Sequence, residues 1–165
     1  MTIVAIDHNA IKTRIKDIIE ADTTNLFGAD KAKIRQVVVG TPPNKDYKDL
    51  NHPAIVITNS ERWMEESNRG PVISNSKSSV RTIVRYDLIL VVHTDDAPEA
   101  EKEVDRLFKL LEQRLYDFAT LRNTGGTDPL CKDILFEIIR RIPQMQGQEI
   151  DGFIATLRVE IDPNG

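Results

Sequence analysis

Thr82-Ile-Val-Arg-Tyr-Asp-Leu-Ile-Leu-Val-Val-His93 runs almost directly into Asp96-Ala-Pro-Glu99 and a long apolar stripe that continues to about Leu121. The first stretch alternates as a strand does. Val84, Tyr86, Leu88, Leu90 and Val92 share one face, because successive strand side chains point to opposite sides. Arg81, Arg85 and Asp87 begin the other face, and Ile89 and Val91 finish it. The second half of this strand is therefore expected to be buried on both sides, and the first half to keep one face wet or at an interface. The second stretch reads as a helix. Asp96-x-x-Glu99 is a capping box, and Pro98 sits in the first turn, where its missing amide costs nothing. Ala100, Val104, Leu107, Leu111, Leu115 and Phe118 recur close to the helical period.

Outward from this pair the chain divides cleanly. Asp7 to about Asp22 reads as a helix, with Asp7 or Asn9 as its cap and Ile11, Ile15, Ile18 and Ile19 on one face. Lys12, Arg14, Lys16 and Asp17 are expected on its polar face. Ile34 to Val39 is a β-branched strand that stops at Gly40-Thr-Pro-Pro-Asn44, and Pro53 to Thr58 is the next. Ile134 to Ile142 and Gly152 to Ile161 close the chain as strands. In the last of these Phe153, Ala155, Leu157, Val159 and Ile161 face one way, and Thr156, Arg158 and Glu160 the other. The order predicts an α+β fold: a mostly antiparallel sheet of four or five strands, two helices on one face, and the other face left for solvent or a neighbour. A chain of 165 residues fits a single domain over 1–165.

Residues 60–79 do not fit this order. Glu61-Arg-Trp-Met-Glu-Glu66 is weakly amphipathic, Asn68-Arg-Gly-Pro71 is a turn, and Ser74-Asn-Ser-Lys-Ser-Ser79 is nearly low complexity. A connection of this length between strands exceeds the usual loop. It predicts an arm or extended hairpin, mobile in the free chain. Trp63, the one tryptophan, lies within it and suits either a buried anchor or an interface anchor.

The composition excludes several classes. The net charge of −4, with both signs interspersed, argues against a general nucleic-acid binder, as does an aromatic content of 5%. Met1 to Asp7 lacks the basic region of a signal peptide, and the longest apolar run, Leu88 to Val92, is far too short for a membrane span. A soluble protein with no membrane partner is expected. One cysteine, Cys131, allows no intrachain disulfide and has no activating neighbour in sequence. His8, His52 and His93 show no metal-ligand spacing, and Asp95 and Asp96 beside His93 are accounted for as helix caps. Gly125-Gly-Thr127 lacks the lysine of a phosphate loop. No catalytic residue, cofactor or metal is predicted, and the chain is not expected to be an enzyme. Arg140-Arg141 and the pair Arg81 and Arg85 are the basic features, read as solvated charge or as a surface for a partner subunit or nucleic acid.

The layout resembles the tail terminator family of tailed bacteriophages, also called tail completion proteins. The similarity lies in the isoleucine-striped leading helix and the His52-Pro-Ala-Ile-Val-Ile57 strand. After the insertion at 60–79 it continues with Arg85-Tyr-Asp-Leu-Ile-Leu-Val-Val-His93, a capped helix, and a closing strand pair ending in Gly152-Phe-Ile-Ala-Thr-Leu-Arg-Val-Glu160. It spans nearly the whole chain and rests on element order; other neck and minor tail proteins, including head–tail joining components, share it. The resemblance implies a virion protein of the tail or neck, assembled in the host cytoplasm. Its subunits would form a homo-oligomeric ring, usually a hexamer, on the last ring of tail tube protein. There it would stop tube growth and meet the head connector, with the sheath as a further candidate partner and DNA only passing through the lumen. The family implies no catalytic residues. The interface residues expected here are Trp63, Arg69, Arg81, Arg85 and Arg158, since the arm and the polar sheet face carry them. The competing class is a small ferredoxin-like ligand-binding α+β domain, which would show a closed pocket with convergent polar groups.

Overall fold

The computed structural model describes residues 6–40, 47–68, 80–93, 97–141 and 150–161. Helix α1 spans His8–Ala21, and its N-cap is Asp7, whose carboxylate accepts from the Ala10 amide at 3.0 Å. Strand β1 (Gln36–Val39) follows, then a 3-10 turn (Tyr47–Asp49), β2 (Ala54–Asn68), β3 (Val80–His93), α2 (Ala97–Asp117), β4 (Asp133–Arg141) and β5 (Ile150–Ile161). The expected capping residue Asp96 and the arm residue Arg69 lie outside the described residues, as does the rest of 69–79.

The five strands form one sheet in the order β1-β2-β3-β5-β4. Every pairing is antiparallel except β1 with β2, which is parallel. The α+β class and the mostly antiparallel sheet predicted from sequence are therefore correct. Both helices lie on one face. The isoleucines of α1 and the apolar stripe of α2 share a single cluster with Val37, Ile55, Ile57, Val84, Tyr86, Leu88, Leu90, Leu157 and Val159. The alternation of β3 and β5 is what delivers those side chains to the helices.

The opposite face is not simply open. Parallel strands need a crossover, and the chain from β1 to β2 crosses on the face without helices. There Tyr47 and Leu50 pack on a second small cluster of Ala54, Val56, Ile89 and Val91, together with Val38 and Ile154. This strap explains why the second half of β3 is apolar on both sides. His52 Nε2 holds the strap through the Tyr47 carbonyl at 2.6 Å.

Two elements differ from the sequence-based expectation. First, β2 does not stop at Thr58. It continues through the predicted arm to Asn68, pairing with β3 as far as Asn68 opposite Val80. Beyond Ile57 it has no β1 partner, and the β2–β3 ladder extends past the last β3–β5 rung, Thr82 opposite Ile161. The proximal part of the insertion is thus a hairpin that outruns the sheet. Second, α2 ends at Asp117 and not near Leu121. Leu121 is buried with φ 50°, a left-handed conformation unfavourable for a branched side chain. Its carbonyl accepts from Arg14 Nη1, which also donates to the Asp128 carbonyl, both at 3.0 Å. Arg14 is therefore a clasp on the 118–130 loop.

The β4 edge is closed off over its first half. Outward-pointing amides of an edge strand invite another strand. Here the Ile134 amide donates to Asp133 Oδ1 at 2.9 Å and the Phe136 amide to the Tyr116 hydroxyl at 3.1 Å. The ring of Phe136 meets those of Phe108 and Tyr116 edge-on.

Candidate interaction face of the sheet

Two neighbouring polar rungs lie on the face without helices, and Glu160, opposite Ile83, continues them along β5. Arg85 of β3 lies directly opposite Arg158 of β5, and Asp87 directly opposite Thr156. Two guanidinium groups placed across a strand pair repel each other. What holds them is Glu137, one strand further on. Arg85 Nε donates to Glu137 Oε2 at 2.8 Å and its Nη2 to Oε1 at 3.3 Å, a forked, charge-assisted contact. Arg158 Nε stands 3.8 Å from Glu137 Oε1, an ion-pair distance and not a hydrogen bond. That nitrogen is inaccessible and has no hydrogen-bond partner among the described residues. The three side chains are only 13%, 25% and 20% exposed for Arg85, Glu137 and Arg158. One carboxylate is shared unequally between two half-buried cations.

The next rung is quieter. Thr156 Oγ1 donates to Asp87 Oδ1 at 2.7 Å, and both residues are buried. Asp87 is a buried carboxylate anchored by a hydroxyl in the middle of the sheet.

Irregular strands flank the arginine rung on both sides. In β2 the register jumps from Asn59 opposite Tyr86 to Met64 opposite Val84, so the backbone of residues 60–63 spans the one ladder position of Arg85. In β4 the jump falls between Phe136 and Ile138, which makes Glu137 the extra residue. Such bulges re-aim side chains and gather at functional surfaces. The β4 bulge also shifts the phase of the strand. Leu135, opposite Arg158, is exposed on the arginine face, whereas Ile139, opposite Ala155, is exposed on the helix side.

Of the five residues expected at an interface, Arg85 and Arg158 are brought together. Trp63 falls within the β2 irregularity opposite Arg85, and Arg81 is in β3 opposite Ser67; their side chains lie outside the described residues. Arg69 lies outside them altogether. Glu137 was not singled out from sequence. Its signal would have been a lone acid inside Ile134-Leu-Phe-Glu-Ile-Ile139, a run otherwise apolar.

The other titratable groups sit elsewhere. Cys131 is buried beneath the Ala119 carbonyl, and burial together with Asp133 pushes its thiol up to about 12, which keeps it protonated and unreactive. His8 Nδ1 meets the buried Tyr86 hydroxyl at 2.7 Å. Burial, with Lys12 adding, holds His8 below its ordinary value, and burial, with His93 adding, does the same to His52. The His52 and His93 rings are 6.2 Å apart, a proximity the sequence did not suggest. Among the described residues no three ligating side chains converge on a metal site, and no helix is long and apolar enough to cross a membrane.

The two histidines predict a pH dependence. A histidine whose folded pKa lies below its unfolded value binds fewer protons when folded, so its contribution is complete above about pH 6.5 and is lost as pH falls through the folded value. The urea midpoint should decline as the solution is acidified from about pH 7 to pH 5.5. In a His8→Gln/His52→Gln chain the decline should be shallower. An equal slope in both proteins would remove the histidines from the pH response.

The chain matches no family model and no curated protein sequence.

Proposed function

We propose that this protein is a structural subunit of a phage neck, of the tail-terminator kind, which assembles as a ring on the end of the tail tube and presents a surface to the head connector. The observation that carries the proposal is the β2–β3 hairpin. It outruns the sheet, and its β2 strand has no outer partner from Thr58 to Asn68 among the described residues. An edge this long is a liability in an isolated chain and an asset in one that pairs with neighbours. The half-buried Arg85–Glu137–Arg158 row at the base of that hairpin adds a surface suited to charged partners.

Size-exclusion chromatography with light scattering tests the proposal. The expected result is a hexameric ring, or a monomer that joins a ring only when tail tubes are added. A tight dimer that persists at every concentration, and ignores tail tubes, would rule the terminator role out.

A further inference from the structure

We infer that neighbouring copies of this chain join edge to edge, with the second half of β4 in one copy pairing with the β2 stretch 58–68 of the next. The inference rests on the ring proposed above and names the backbone contact that would close it.

The two edges lie at opposite margins of one sheet. β4 is the last strand on one side, and on the other β2 outruns β1 beyond Ile57. β3 and β5 stand between them, so the two cannot pair within one chain. The amide caps of β4 stop at Phe136. Among the described residues no side chain caps the amides from Ile138 to Arg141. In that same stretch Ile139 is 49% exposed. An apolar side chain on an uncapped edge is the combination that draws in another strand.

Direction and charge fit the pairing. β2 is antiparallel to β3, β3 to β5 and β5 to β4, so β4 runs antiparallel to β2. A copy related by rotation about an axis near the strand direction keeps those senses. It therefore offers its β2 edge to β4 in the antiparallel sense, the more stable one per residue. The uncapped part of β4 carries Arg140 and Arg141, and Arg140 is exposed. Residues 58–68 carry Glu61, Glu65 and Glu66 against Arg62. Opposite net charge selects this pairing over β4 with β4 or β2 with β2, each of which would juxtapose like charges.

The ladder sets the stagger. Ile138 to Arg141 stand level, across β5, with Asp87 to Leu90 of β3. Met64, near the middle of the β2 stretch, stands level with Val84. Bringing the two together shifts neighbouring copies along the strands by about four or five residues, roughly 15 Å. Across a five-stranded unit about 24 Å wide, that shift tilts the strands by roughly 30° from the ring axis. Sheets that close on themselves tilt their strands by about 35–45°. The stagger is therefore near the one at which a head-to-tail contact of this kind closes.

Hydrogen exchange tests the contact. In the assembled ring the outward amides between Ile138 and Arg141, and those along residues 60–67, should exchange about tenfold or more slowly than in the free chain. Ile139→Lys puts a charge on the edge at a half-exposed position. Its melting temperature should stay within a few degrees of the wild type, while ring assembly weakens about tenfold or more by sedimentation velocity, the scale of a lost interfacial contact. Arg140→Glu should weaken assembly likewise, and adding Glu65→Arg and Glu66→Arg should restore it. A ring whose amides from Ile138 to Arg141 exchange as fast as in the free chain would overturn this contact and leave the ring standing. A wild-type chain that forms no ring, alone or on tail tubes, would overturn the ring and this contact together. If the variants fail to fold, exchange in the wild-type ring decides the question unaided.

Discussion

Leu107→Ala and Leu111→Ala should each destabilise the protein by about 2–5 kcal/mol, the cost of removing a leucine side chain from a packed core and leaving a partly collapsed cavity. Both residues sit mid-way along α2 and are almost fully buried. They belong to the one cluster that joins α2, α1 and the sheet, so the space vacated has walls on every side. Rigid walls limit collapse and push the cost towards the upper end of that range. Urea denaturation measures it. A loss below about 0.5 kcal/mol at both positions would mean that the stripe does not face the sheet, since surface substitutions typically fall in that range.

Replacing residues 70–78 with a short Gly/Ser linker should abolish joining of tails to heads in a complementation assay, while the melting temperature moves by only a few degrees. The replaced stretch spares β2 to Asn68 and β3 from Val80, so the paired hairpin keeps its ladder. The serine- and asparagine-rich half has too little apolar surface to offset its own ordering entropy, and so contributes little to stability. If the replacement unfolds the protein, the tip belongs to the core. If tails join normally, the tip is dispensable for joining.

The parts of the fold legible in the sequence are those where one period governs a whole element. The β3 stretch from Thr82 to His93 alternates because one side meets the helices throughout, and α2 keeps its stripe because it lies flat on the sheet. The reading failed where two influences met. Residues 60–68 carry no alternation, because the register breaks at 60–63 and the strand beyond has no outer neighbour to bury a face against. Such a strand looks like an irregular arm. The strap at Tyr47–Leu50 leaves no mark in the sequence because its two apolar residues are too few to show a period; only the crossover from β1 to a parallel β2 gives them a surface to cover.

The interaction face was half legible. Alternation placed Arg85 and Arg158 on one side of the sheet, but their opposition depends on the β3–β5 register, which no local pattern specifies. Glu137 is the extra residue of a bulge, and a bulge shifts phase without leaving a compositional mark. Helical spacing puts Arg14 on the polar side of α1, and there the 118–130 loop folds down to meet it and takes up its hydrogen bonds, which no local pattern foretells.

Electron microscopy of tail tubes polymerised with and without the purified protein tests the central proposal most directly. With the protein present, tubes should stop at a uniform length and carry a ring of extra density at one end; without it they should grow on. Tubes of the same unrestricted length in both samples, with no density at either end, would contradict a terminator role for this chain.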